Sequence, residues 1–186
     1  MREQKDDNLK VRVSKYMSYL LRHNPENLEI DKHGFVDLDR LLEKLNEWFK
    51  IDEKLIFEIV EKSRRRRFEI VENKIRASYG HTISVRLELE EDCITKVFYH
   101  GTTPDSASKI LKFGLKQMKR RWVHLSPTID VATEVGLRRT NNPIILEIDA
   151  WAARKDGFRF YKATDKVYVC DIILPSYIRI AKQSMH

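Results

Sequence analysis

Arg22 and His23 stand side by side in "LLRHNP" (residues 20–25). A guanidinium binds the oxygens of a phosphate bidentately and stays charged throughout. A neighbouring imidazole can orient that phosphate or move a proton, because its pKa lies near neutrality. The stretch before the pair, "VRVSKYMSYLL", repeats Val13, Tyr16, Met17, Leu20 and Leu21 at helical spacing, and Pro25 predicts that the helix stops at Asn24. The pair therefore falls in a helix's last turn, where a cation also serves simply as a cap for unpaired carbonyls. This segment alone leaves cap and phosphate site both open. Two further stretches share a layout. "FYHGTTP" (98–104) places His100 at a strand end, then Gly101, then Thr102 and Thr103 leading into a helix. Backbone can approach a ligand at the glycine, and the hydroxyls can bond a sugar or phosphate. "WVHLSP" (122–127) sets His124 near a strand end and Ser126 at the start of the next helix. Ordinary strand–turn–helix architecture accounts for either stretch as well.

The elements that must position these residues divide the chain near residue 81. Asp37 caps a second helix whose stripe is Leu38, Leu41, Leu42, Leu45, Trp48 and Phe49. Asp52 caps a third, with Leu55, Ile56, Ile59 and Val60 inward. "RFEIVENKIRAS" then alternates around a turn at Glu72-Asn73, which predicts a hairpin. If Ile75 and Ala77 face the core, Arg76 points the other way, onto the exposed face. Three helices and a hairpin form the pattern of a winged helix, a common nucleic-acid-binding module. From residue 82 the chain turns strand-rich, with strands expected at Ser84–Leu89, Lys96–His100, Trp122–Leu125, Ile144–Asp149, Phe158–Tyr161, Lys166–Cys170 and Tyr177–Ala181. Two helices interrupt them, one starting at Thr103-Pro104 and ending at Gly114, the other starting at Ser126-Pro127 and ending near Gly136. The fold class is α+β.

Composition limits the function classes. The 186 residues are 42% hydrophobic and 34% charged, which suits a soluble globular protein rather than a disordered tail. No run reaches the ~18 apolar residues of a membrane helix. "MREQKDDNLK" lacks the apolar core of a signal peptide, so a cytoplasmic protein is expected. Cys93 and Cys170 stand far apart in the sequence, which argues against a zinc site or a disulfide framework. The net charge of +7 is concentrated in Arg64–Arg67 and in "KQMKRRWVH" (116–124). Such clusters suit a polyanionic partner, and they suit a solvated face equally.

"LLRHNP", "IRASYGHT", "FYHGTT", "WVHLS" and "VGLRR" occur in the order and at about the spacing found in the RNA 2′-phosphotransferase family, which the chain resembles from about Val11 to Ala181. The resemblance implies a winged-helix RNA-binding lobe (1–81) followed by an NAD⁺-binding lobe with an ADP-ribosyltransferase-like fold (82–186). It also implies the reaction. An RNA 2′-phosphate, such as one left at a tRNA splice junction, attacks the NAD⁺ ribose carbon that bears nicotinamide, giving a 2′-phospho-ADP-ribosylated RNA. A ribose hydroxyl then takes the phosphate, leaving 2′-hydroxyl RNA and ADP-ribose 1″,2″-cyclic phosphate. The family's Arg-His-Arg-Arg set maps onto Arg22, His23, Arg76 and Arg138. Arg22, His23, Arg76 and His81 fall to the RNA, and His100, Gly101, Thr102, His124 and Ser126 to NAD⁺, with no metal and a monomer expected. Two departures matter. Tyr79 and Thr82 stand where relatives often have glutamine and serine. The loop before Pro143 is one residue longer than usual, so counting from Gly136 selects Arg138, whereas counting back from Pro143 selects Arg139. Two other classes compete: an ADP-ribosyltransferase acting on other phosphorylated nucleic acid or on protein, and a non-catalytic winged-helix regulator.

Overall fold

The computed structural model describes residues 2–63 and 65–181. Arg64 of the first basic cluster lies outside the described residues. The chain forms two compact units, Met1–Glu88 and Leu89–His186.

In the first unit, α1 (Arg2–Arg22) is followed by the short strand β1 (Val36–Asp37), α2 (Leu38–Asn46) and α3 (Glu53–Glu61). Strands β2 (Phe68–Val71) and β3 (Lys74–Ala77) complete it. Both expected caps are present. Asp37 accepts from the amides of Asp39 and Arg40, and Asp52 accepts from that of Leu55. The helices bury Met17, Leu20, Leu21, Leu38, Leu41, Leu45 and Ile56 completely or nearly so, against Phe68, Ile75 and Ala77 of the hairpin. The hairpin turn is at Glu72, in left-handed conformation with φ of 53°. β1 adds a third strand that the sequence does not reveal, in the order β1-β3-β2. Trp48 corrects the expected stripe. α2 ends at Asn46, so Trp48 leaves the helical register and is 73% exposed.

The second unit is built from antiparallel pairs. Its elements are β4 (Glu90–Asp92), β5 (Val97–Thr102), α4 (Pro104–Phe113), β6 (Leu115–Lys116), β7 (Val123–Leu125), α5 (Ile129–Gly136), β8 (Ile144–Asp149) and α6 (Ala150–Lys155). Strands β9 (Phe160–Thr164), β10 (Val167–Cys170), β11 (Ile172–Ile173) and β12 (Ile178–Ile180) follow. They form sheets ordered β4-β9-β10-β7, β12-β8-β5 and β11-β6. Phe98, Phe160, Leu146 and Ile148 fill the core between them, and the Phe98 ring meets Phe160 and Tyr168. The mixture of helices and antiparallel sheets is the expected α+β class.

Three expectations change here. Residues 84–88 form no strand. They run as irregular chain in the first unit, where Val85 is buried and the Arg86 amide donates to the Lys32 carbonyl at 2.7 Å. The helix after "WVHLSP" starts later, capped by Thr128, whose Oγ1 accepts from the Val131 amide. α6 is an additional helix, capped by Asp149 at the end of β8. Among the described residues, no helix is long and apolar enough to cross a membrane.

Candidate functional site

Arg22 is the last residue of α1 and only 9% exposed. The Arg22 carbonyl at the helix end is satisfied by the amides of Thr82 at 2.9 Å and Ile83 at 3.3 Å. The guanidinium turns elsewhere. One Nη donates to the Arg67 carbonyl at 3.2 Å, and its carbon lies 4.9 Å from the Tyr79 ring centroid and 5.8 Å from that of Phe68. Gly80, with φ of +87°, lies alongside this side chain. His23 Nδ1 lies 3.1 Å from Thr82 Oγ1. That hydroxyl donates to the Arg22 carbonyl, so it accepts from Nδ1–H of His23. Nε2 is then the nitrogen with which His23 can take a proton. The loop 79–83 thus fixes both members of the pair.

Arg76 sits on the hairpin face opposite Ile75 and Ala77, as alternation requires, but it is half-buried rather than exposed. Three neighbours hold it. Glu69, its cross-strand partner, is contacted by both Nε at 2.7 Å and Nη2 at 2.6 Å. The Phe35 ring lies 4.4 Å from its guanidinium carbon, and Nη1 donates to the His33 carbonyl at 3.4 Å. His81 is 4% exposed, with Nε2 close to Gly34 and its ring inward, so here it braces the loop rather than facing solvent. The loop 79–83 and the turn at 33–35 therefore connect Arg22, His23, His81 and Arg76 within one unit. The unit's large cavity, 1120 Å³, is elsewhere. Its lining mixes Asp31, Asp37, Asp39 and Glu43 with Arg40, Lys44 and Lys74, and none of the candidate residues borders it.

In the second unit, Tyr99 and Ser126 exchange both backbone hydrogen bonds at 2.8 Å, which brings "FYHGTT" beside "WVHLS". His100 Nδ1 donates to the His124 carbonyl at 3.0 Å, which leaves Nε2 as an acceptor. Burial pushes the His100 pKa below its ordinary value, and the positive charge of Arg139 adds to that shift. His100 is accordingly neutral and accepting at neutral pH. The Thr102 and Ser126 side chains are each 6% exposed. A neutral imidazole acceptor beside two buried hydroxyls is a donor set suited to sugar hydroxyls, so these residues fit the ribose of a nucleotide. Among the described residues, no group of three or more His, Cys, Asp or Glu is placed to hold a metal ion.

Gly101 has a physical reason other than ligand approach. A Cβ there would lie 1.9 Å from the Ala132 carbonyl oxygen of α5. Gly136, one turn further along α5, lies against Gly101 and Pro143. Two glycines thus let α5 rest directly on β5, and the turn after α5 carries Arg138 and Arg139, both exposed. Gly136 and Pro143, the two landmarks from which the arginines are counted, lie against each other, so both Arg138 and Arg139 stay candidates.

The chain matches the family described as RNA 2′-phosphotransferase, Tpt1/KptA family, over residues 8–172. The chain belongs to this family. It is 40% identical over 173 residues to a probable RNA 2′-phosphotransferase of Acetivibrio thermocellus, covering 90% of this chain and 95% of that one. It is 42% identical over 173 residues to a protein of the same description from Thermococcus kodakarensis, covering 91% and 96%. A Bacillus thuringiensis relative with that description is 40% identical over 175 residues, covering 91% and 95%. Sequence reasoning did not find the family member's supporting residues: Tyr79 against Arg22, Thr82 against His23, and Glu69 and Phe35 around Arg76. Only Glu69 had a readable signal, because the two-residue turn at Glu72-Asn73 sets it opposite Arg76.

Proposed function

We propose that this chain is an NAD⁺-dependent RNA 2′-phosphotransferase. In this reading the first unit is a winged-helix lobe that holds RNA, and the second is an ADP-ribosyltransferase-like lobe that holds NAD⁺. The overall reaction takes an internal 2′-phosphate from RNA, such as a tRNA splice junction, and leaves a 2′-hydroxyl, nicotinamide and ADP-ribose 1″,2″-cyclic phosphate. The observation that carries the reading is the Arg22–His23 pair, held by loop 79–83 with the helix cap supplied from elsewhere. An arginine fixed from several sides is preorganised for an anion.

Arg22 and Arg76 grip the 2′-phosphate, whose charge of about −1.5 to −2 two forks can share. His23, with Nδ1–H committed to Thr82, orients the phosphate or takes its proton at Nε2. Arg138 stabilises charge on the phosphoryl group as it transfers. His100, Thr102 and Ser126 hold nucleotide hydroxyls, with His124 fixing the His100 tautomer through its carbonyl. NAD⁺, when bound, supplies the ribose that accepts the phosphate.

An internally 2′-phosphorylated oligoribonucleotide should lose its phosphate only when NAD⁺ is added, with cyclic-phosphate by-product appearing in equal amount. Survival of the 2′-phosphate in the presence of NAD⁺ would sink the reading. Arg138→Ala should lose turnover by roughly 10²–10³-fold, the usual cost of removing one preorganised charge stabiliser. Arg139→Ala, which touches the reaction only through His100, should stay within roughly tenfold of the parent enzyme. Steady-state kinetics of the two variants decides between the arginines, and the reverse order would move the assignment to Arg139.

A further inference from the structure

We propose that the second unit carries a platform for single-stranded RNA, formed by Trp122, Tyr161 and the basic loop before Trp122. This rests on the RNA 2′-phosphotransferase reading and adds a substrate-binding surface to it.

The rings share one face of the β4-β9-β10-β7 sheet. Along β7, Val123 and Leu125 point into the core, at 4% and 2% exposure, so His124 points to the opposite face, and Trp122 directly precedes the strand. The register places Tyr161 opposite Val169, and Val169 opposite His124, so Tyr161 shares that face, which is buried at Val169 (1% exposed) and partly exposed at Tyr161. The Trp122 and Tyr161 rings meet edge-on, with centroids 5.6 Å apart and planes at 66°. An edge-on pair covers one face of only one of its rings, and both residues keep partial exposure. The core aromatics Phe98 and Phe160, in contrast, are fully buried.

The loop before Trp122 is basic. Lys116, Lys119, Arg120 and Arg121 are all exposed, and no carboxylate occurs between residues 115 and 125. Both ends of the loop are fixed. Lys116 pairs with Ile172, Gln117 donates to Asp171 Oδ1 at 3.0 Å, and β7 pairs with β10. Two carboxylates lie close by: Asp171 on Gln117, and Glu91, opposite Tyr161 on the edge strand and 4.0 Å from Arg159. Half-exposed aromatic rings beside a row of cations are how proteins hold single-stranded nucleic acid. Bases stack on the rings, and the cations track the backbone. A duplex, with its bases already stacked on one another, has no use for the rings. His124 follows Trp122 by two residues, and its carbonyl sets the His100 tautomer.

The test uses the full chain and fluorescence anisotropy of a labelled single-stranded, internally 2′-phosphorylated oligoribonucleotide, without NAD⁺. Trp122→Leu should weaken binding roughly tenfold, the loss of about one stacked base. The triple charge reversal Lys119→Glu, Arg120→Glu, Arg121→Glu should also weaken binding. It should lower the slope of log affinity against log salt by about 2, the share of some three phosphates. Affinity for NAD⁺ and turnover of a 2′-phosphorylated dinucleotide should be unchanged in both. An unchanged salt slope in the triple variant overturns the proposal. So does weakened NAD⁺ binding by Trp122→Leu with RNA binding intact, which would assign the rings to adenine. Should Trp122→Leu fold poorly, the triple variant, confined to exposed residues, decides alone. Absence of NAD⁺-dependent turnover by the parent protein would refute the proposed function, while the binding measurements would still report on the platform.

Discussion

Arg22→Lys is expected to lower turnover of a 2′-phosphorylated oligoribonucleotide by roughly 10²–10³-fold while the protein stays folded. Lysine is the informative replacement because it keeps the charge and much of the buried stem. It loses the planar fork that can hold two phosphate oxygens at once. The structural cost is small. The contact to the Arg67 carbonyl and the stacking on Tyr79 are weakened, but the cap of α1 survives, because Thr82 and Ile83 donate to the backbone at position 22 rather than to its side chain. One hydrogen bond of this kind contributes about 1 kcal/mol, or about 2–4 °C in melting temperature for a chain of this length. Arg22→Ala would mix the two effects by opening a hole under Tyr79 and Phe68. The measurement is kcat/KM together with a melting curve. A variant within about threefold of the parent in kcat/KM would show that Arg22 only braces loop 79–83.

The same residue shows what the sequence could and could not reveal. That Arg22 and His23 close a helix follows from a local pattern, the apolar spacing before them and Pro25 after them, and the helix ends there. Which function the arginine serves depends on Thr82 and Ile83, some sixty residues away, and no local pattern carries that information. Arg76 divides in the same way. Strand alternation gave the face it occupies. The half-buried pocket of Phe35, the His33 carbonyl and Glu69 comes from packing between segments distant in the chain. Secondary structure was legible where a long period or a strong cap fixed it, as in α2, α3, α4 and β8. It was not legible for β1, β4, β6 and β11, which are two or three residues long and exist only through their partners. Ser126-Pro127 looked like a helix start because serine before proline is a common cap. Tyr99 instead holds the Ser126 backbone as a strand bridge, so the cap passes to Thr128.

Gly101→Ala should be a strongly damaging single methyl group in the second unit. The backbone at residue 101 is ordinary strand, paired with Ile145, so alanine meets no conformational penalty there. The whole effect is contact. The new Cβ would lie 1.9 Å from the Ala132 carbonyl oxygen and 2.8 Å from its carbon, and these are backbone atoms of α5 that no rotamer change can move aside. α5 must shift away from β5, at a cost of roughly 3 kcal/mol or more for overpacking a tight contact. For a chain of this length that is a fall of about 6–12 °C in melting temperature. Gly157→Ala is the matching control. Its φ is +88° and nothing lies within 4 Å of the added carbon, so it carries only the backbone penalty of about 1–2 kcal/mol. Function should fall with stability at Gly101 and not at Gly157, because the helix that moves carries the turn with Arg138 and Arg139. Turnover measured well below the melting transition separates this from simple unfolding. Gly101→Ala should remain impaired there, while Gly157→Ala should match the parent. If Gly101→Ala melted and turned over like the parent protein, the two-glycine contact could not be what positions the arginine turn.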